Sequence, residues 1–235
     1  LSDWNGQIRS LWRVDIATGA LQRLTRGREW FGEVMEPGNR GFFAISPDRP
    51  HWLYRLKWDG SEPTQVDTPW EMYADQVSAD GATLYLEKDG DLYRMALLPA
   101  AGKPELLLQT AANEQVTTPS PDGKWLAWGT DRSGRFEVVV APINALDEAV
   151  QVSERGRVRI HGWSRDSRTF YFESQGELRA VGIGPDGPRL ASSRMIFRIP
   201  PRTITNRFLP NLGVSAVIRG GPMLTELIFS QGALR

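Results

Sequence analysis

The residues of this chain that could do chemistry are few and far apart. Its 235 residues include no cysteine, so thiol nucleophiles, disulfides and cysteine-ligated zinc are excluded. Two histidines occur, His51 and His161, and neither belongs to a grouping with metal-ligand spacing. A Gly-x-Ser-x-Gly nucleophile turn is absent, because Gly213-Val214-Ser215-Ala216-Val217 fails at its last position. No glycine-rich phosphate loop occurs either. What does recur is charge. Glu29, Glu71, Glu114 and Arg157 follow one another at steps of 42, 43 and 43 residues, and Trp30, Tyr73, Arg159 and His161 trail them closely. Such a set could bind: acids for a cationic group or a metal, aromatics as anchors. Calcium takes six or more oxygens, more than this set supplies by count.

That interval belongs to a longer pattern. A tight turn recurs with its second residue at Pro37, Ala79, Pro121, Arg165 and Pro210, spaced by 42, 42, 44 and 45 residues. An apolar strand keeps pace with it, beginning Leu11-Trp12-Arg13, Leu53-Tyr54-Arg55 and Leu92-Tyr93-Arg94, with weaker versions at Val138, Leu178 and Leu227. The unit around Ser120 reads as four extended segments near residues 115–118, 125–129, 136–141 and 149–153. They are short, rich in Val, Trp, Tyr and Phe, and bounded by Pro, Gly and Asp, which favours strands over helices. Residues 141–146 are read as a loop. Leu84-Tyr85-Leu86 and Phe170-Tyr171-Phe172 are apolar on both parities, as a sheet covered on both faces requires.

Four-stranded units every 40 to 45 residues or so are the signature of a β-propeller. The expected fold is all-β: a six-bladed β-propeller of four-stranded antiparallel blades, with the first and last blades incomplete. One domain, residues 1–235, is expected, with blades at about 1–27 (partial), 28–69, 70–112, 113–155, 156–201 and 202–235 (partial). Trp125, Trp128 and Trp163 are expected to pack between blades. Asp80, Asp122 and Asp166 sit where aspartate bonds its own turn. Equivalent positions of successive blades form a ring, so the periodic charged set could rim one mouth of a central channel. A solvated loop whose charges keep the blade mouths wet would carry the same residues.

Charge is balanced, 28 basic against 28 acidic residues, which gives no electrostatic reason to expect a nucleic acid or an anionic membrane as partner. No apolar run approaches the roughly 18–20 residues that span a bilayer. Leu1-Ser2-Asp3-Trp4 lacks the features of a signal peptide. Counting strands, the first blade lacks its inner strand and the last its outer one. A segment upstream of Leu1 is expected to supply both.

The stretch "SPDGKWLAWGTDRSG", Ser120 to Gly134, closely resembles the TolB-type, WD-like propeller repeat: a Ser-Pro-Asp-Gly turn, an apolar strand, a Ser/Thr-Asp-Arg-x-Gly turn and a further strand. The likeness extends over Asp3–Thr25 and Val77–Met95, and in degenerate form over Ser164–Val181 and Phe208–Phe229, so it spans nearly the whole chain. Three copies depart from it. Ser167 replaces the turn glycine, Asn211-Leu212 replaces Asp-Gly, and Phe31–Asn39 keeps only Pro-Gly. The resemblance implies a non-enzymatic binding or scaffold module, periplasmic or otherwise extracytoplasmic, with no catalytic residue and no cofactor. It would take a protein or peptide at the channel mouth, as a sensor or protein-interaction domain of a larger bacterial protein. The alternative within the same resemblance is a propeller that gates substrates for a peptidase or hydrolase domain outside this chain. A carbohydrate-active propeller would need a histidine or acid cluster that two scattered histidines do not offer.

Overall fold

The computed structural model describes residues 2–4, 9–14, 18–23, 31–37, 40–46, 52–68, 71–98, 102–153, 158–199, 203–205, 214–220 and 224–231. These residues form strands arranged in antiparallel sheets, each running simply up and down with sequence neighbours side by side. No α-helix occurs among them. Strands β1 (Ser2–Trp4), β2 (Arg9–Val14) and β3 (Leu21–Arg23) make the first sheet, and β4 (Phe31–Met35), β5 (Phe42–Ile45), β6 (Leu53–Leu56) and β7 (Thr64–Gln65) the second. The third holds β8 (Tyr73–Val77), β9 (Thr83–Lys88), β10 (Asp91–Ala96) and β11 (Glu105–Leu108). The fourth holds β12 (Glu114–Pro119), β13 (Trp125–Thr130), β14 (Glu137–Pro142) and β15 (Val150–Gln151). The fifth holds β16 (Val158–Trp163), β17 (Thr169–Ser174), β18 (Glu177–Gly184) and β19 (Gly187–Arg198). Strands β20 (Thr203–Thr205), β21 (Val214–Gly220) and β22 (Leu224–Gln231) form a three-stranded sixth. In the four-stranded sheets the Leu-aromatic-Arg strand and its weaker versions come third. In the first sheet that strand, β2, comes second, and in the sixth the matching strand β22 comes last. Among the described residues, the first and sixth sheets are therefore the three-stranded ones. After β14 the segment read as a loop turns at Pro142 to Ala145 and continues into one short 3-10 turn, Leu146–Glu148.

The chain divides into two compact units, Leu1–Gln109 and Thr110–Arg235. In the first, Phe43, Ile45 and Leu53 of the second sheet bury against Val77, Leu84, Leu86 and Met95 of the third. The opposite parity of β5 is buried as well: Phe42 and Ala44 pack with Leu56, and Phe42 meets Trp58 at a ring-centroid distance of 4.9 Å. In the second unit, Trp125, Ala127, Val138 and Val140 of the fourth sheet pack against Ile160, Trp163, Phe170, Phe172 and Val181 of the fifth. Trp125 and Trp163 thus fill the space between two blades. Trp163 also donates its indole N–H to the Thr118 carbonyl of β12 at 2.9 Å, joining the two sheets. A sheet with apolar residues on both parities is stable only when neighbours cover both faces, and repetition of the unit supplies those neighbours.

The turn between the first two strands of a sheet is built three times in the same way. Ser78, Ser120 and Ser164 donate their hydroxyls to Asp80, Asp122 and Asp166 at 2.5, 2.6 and 2.6 Å. The same hydroxyl oxygens accept the backbone N–H of Thr83, Trp125 and Thr169. Each aspartate also accepts one backbone N–H, from Ala82, Lys124 and Arg168. The aspartates are spent on their own turns, as their type and position predict. In the degenerate copy Glu36 stands where the others have serine. It is buried, and the guanidinium of Arg55 on β6 clasps it with two bonds of 2.6 Å.

Ser167 explains its own departure from the pattern. It holds the left-handed conformation, φ 60°, that glycine fills at Gly81 and Gly123. Its hydroxyl accepts the backbone N–H of Asp122 at 3.0 Å, so the turn of the fifth sheet is tied to the turn of the fourth. A glycine would fit the backbone there and lose that tie.

Candidate functional site

The first strand of every four-stranded sheet breaks register with its neighbour. The breaks fall between Phe31 and Val34, Ala74 and Gln76, Gln115 and Thr118, and Ile160 and Gly162. A bulge leaves a residue out of the ladder and re-aims its side chain. The residues set aside include Asp75, Thr117 and His161, all buried. The third bulge carries the sharpest feature. Val116 has φ 57°, a left-handed conformation that a β-branched residue adopts at a cost of about 1–3 kcal/mol.

Beside Val116 a pocket of about 170 Å³ opens within the second unit. Val116 of β12, Phe136 just ahead of β14, Val138 of β14, and Val158, Arg159 and Ile160 of β16 line it. Gly129 makes room for one wall, since a Cβ at that position would collide with the Phe136 ring. Arg159 is the one charged lining residue, and it is exposed. An arginine stays cationic at any ordinary pH.

The periodic charged set meets several fates. Glu29, Trp30 and Arg157 lie outside the described residues, as does His51. Glu71 is exposed just ahead of β8, and Tyr73, 45% exposed, opens that strand. Glu114 is 2% exposed, and both of its carboxylate oxygens are engaged. Trp128 donates its indole N–H to one at 2.7 Å, and Thr110 its hydroxyl to the other at 2.7 Å. Glu114 therefore locks the start of β12 onto β13. Arg159 stays at the surface and at the pocket. His161, two residues along β16, is buried with Nε2 3.8 Å from a Glu173 carboxylate oxygen. Sequence reasoning missed Val116, Phe136, Val158 and Ile160. Their apolar types read as ordinary core, and nothing in the sequence marks the left-handed backbone at Val116.

The hydrogen bonds of the turns leave a mark on acidity. The hydroxyl of Ser78 and then the N–H of Ala82 hold the Asp80 carboxyl below its ordinary value, and Ser164 with Arg168 does the same for Asp166. Among the described residues no group of three or more His, Asp or Glu side chains is placed to hold a metal ion. Nor is any helix among them long and apolar enough to cross a membrane.

No family model matches the chain, and no curated protein matches it by sequence. Solved structures match it by fold. A protein assigned as a TolB from Agrobacterium tumefaciens is similar at 19% identity and a TM-score of 0.67, over 92% of this chain and 79% of its own. TolB from Acinetobacter baumannii is similar at 12% identity and a TM-score of 0.63, over 89% of this chain and 56% of its own. A puromycin-hydrolysing peptidase from Mycobacterium tuberculosis is similar at 12% identity and a TM-score of 0.57, over 100% of this chain but 42% of its own. The fold is that of a TolB-like β-propeller.

Proposed function

We propose that this TolB-like propeller is a non-enzymatic binding module that takes a protein or peptide partner where β12 and β16 begin. Residues 1–235 act in this reading as one propeller domain, with blades bounded as the repeat predicts. The module works outside the cytoplasm, as a sensor or interaction domain of a larger bacterial protein. The observation that carries the reading is the apolar pocket between β12, β14 and β16, open to solvent and bordered by exposed Arg159. Interfaces anchor on an apolar group entering such a recess beside an arginine. Glu71 and Tyr73, exposed together at the start of β8, offer a second contact of the same type, an aromatic beside a charge.

The test is capture from native envelope extract with the wild-type chain and with Arg159→Glu and Tyr73→Ala, all checked for an unchanged β-sheet spectrum. Partners retained by the wild type and lost from Arg159→Glu support the module. A partner set that neither substitution alters overturns it.

Likeness to the puromycin-hydrolysing peptidase along this whole chain supports a second reading, a propeller that gates substrates for a neighbouring catalytic domain. A Gly-x-Ser-x-Gly hydrolase domain in the native polypeptide selects the gate. A membrane segment with a winged-helix domain selects the sensor.

A further inference from the structure

We propose that the outer edge of β19 takes up an extended acidic segment of a partner protein as a fifth strand of its sheet. This edge lies at the far side of the sheet from β16 and its pocket, and the inference stands apart from the reading above. The outermost strand of a sheet leaves one row of backbone N–H and C=O groups without a ladder partner, and proteins blunt such edges by keeping them short. Here β7 and β15 hold two residues each and β11 four, whereas β19 runs for 12, Gly187 to Arg198. Among the described residues no strand pairs with its outer side. A bulge at residues 190–193 divides it, and beyond the bulge residues 194–198 are held against residues 177–180 of β18. That stretch is extended and fixed before anything joins it, which lowers the ordering cost of adding a strand.

The side chains of this stretch indicate what joins it. It reads Arg-Met-Ile-Phe-Arg, with Met195 49% and Phe197 40% exposed and an arginine at each end. Together β18 and β19 carry four arginines, Arg179, Arg189, Arg194 and Arg198, against one acid, Glu177, in a chain whose net charge is zero. Glu177 is shared, bonding Arg179 at 2.9 Å and Arg198 at 2.8 Å. Arg189 and Arg194 are exposed, and neither forms an ion pair with another described residue. That excess of cations decides between two occupants. A two-fold pairing of residues 194–198 with a second copy of this chain sets Arg194 opposite the other copy's Arg198 at both ends, and like charges directly opposed are destabilising. A segment with a carboxylate at each end of a short apolar run instead places one acid opposite Arg194 and one opposite Arg198. Directly opposed side chains share a face of the sheet, with Cβ atoms about 4.5–5.5 Å apart. The middle residues of the segment then lie beside Met195 and Phe197 and cover their apolar surface. Pairs of this kind at the surface make the expected complex sensitive to salt.

The experiment is fluorescence polarisation on the full chain with a fluorescein-tagged Ser-Glu-Val-Thr-Val-Glu-Ser peptide. One control replaces both glutamates by lysine. Two more keep the sequence and carry N-methyl groups on one or the other alternate set of backbone nitrogens, which removes strand hydrogen bonds and leaves the charge. The acidic peptide is expected to bind about tenfold or more tightly than the lysine peptide. One N-methylated version should lose binding to a similar extent and the other keep it, because only one set of N–H groups faces β19. Arg194→Glu, a change at an exposed side chain, should weaken the acidic peptide about fivefold and strengthen the lysine peptide. The peptide controls use the wild-type chain and so do not depend on how the variant folds. Equal binding of the acidic peptide and both N-methylated versions would mean charge association without an added strand and would overturn the proposal. Acidic-peptide binding untouched by Arg194→Glu, or no peptide binding at all, overturns it as well. A dimer in sedimentation whose strength changes with Arg194→Glu would give the edge to a second copy and likewise overturn it.

Discussion

The pair Glu114 and Trp128 shows how a residue chosen for its charge and period can serve the fold instead. A carboxylate buried this deeply needs partners for both oxygens, and Trp128 and Thr110 provide them. Replacing Trp128 by Phe keeps most of the ring volume and removes the donor. The loss leaves a buried oxygen unpaired and should destabilise the chain by about 1–3 kcal/mol in chemical denaturation. Trp128→Ala adds an emptied core site and should cost about 3–5 kcal/mol. An unchanged midpoint for Trp128→Phe would mean that Glu114 finds water or another donor. Asp80 and Asp166 make a pH prediction of definite sign. Their carboxyls are held below the ordinary value of 3.8 in the folded chain, so the ionised form stabilises the fold. That contribution is present above about pH 4 and fades as pH falls through the depressed values. Asp80→Asn with Asp166→Asn should therefore make the acid side of a stability-against-pH curve shallower. The effect is small, because both carboxyls face solvent.

Among the elements, the turn at Ser167 joins local strain to a contact between sheets. Ser167→Ala keeps the left-handed strain and loses the bond to the Asp122 N–H. Ser167→Gly loses the same bond but relieves the strain. Alanine should thus cost more than glycine, by about 0.5–1 kcal/mol, in thermal or denaturant unfolding. The reverse order would show that left-handed strain at this position does not set the difference between the two variants. The same turns explain what was legible in advance. Ser-x-Asp forms its hydrogen bonds within six residues, so Ser78, Ser120 and Ser164 announce the strands around them. Strands apolar on both parities announce the buried sheets. The pocket was hidden because it depends on register. The bulge between Gln115 and Thr118 is set by how β12 meets β13, and the wall at Phe136 exists because Gly129, paired with Val138, has no Cβ to meet the Phe136 ring. The partners of Glu114 were hidden for a related reason: its indole donor lies 14 residues away on another strand, and period alone cannot report that contact.

At the scale of the whole molecule, repetition decides how damage spreads. A propeller blade cannot bury its faces alone, so stability comes from contacts between neighbouring sheets and is shared unevenly along the chain. The two large apolar cores each lie inside one compact unit. Phe43, Ile45, Leu84 and Leu86 belong to Leu1–Gln109, and Val138, Val140, Phe170 and Phe172 to Thr110–Arg235. Phe172 has no exposed surface and packs with Phe170 and the Trp163 region of the same core. Truncating it to alanine removes contacts from the fourth and fifth sheets together and should cost about 3–5 kcal/mol there. Local opening then becomes easier where those contacts were made. Hydrogen exchange measured by mass spectrometry should show protection falling across β12 to β18, while β5, β8 and β9 keep theirs. A uniform fall over both units would instead mean that the chain opens as one cooperative body, with the cores coupled more tightly than their separate memberships imply.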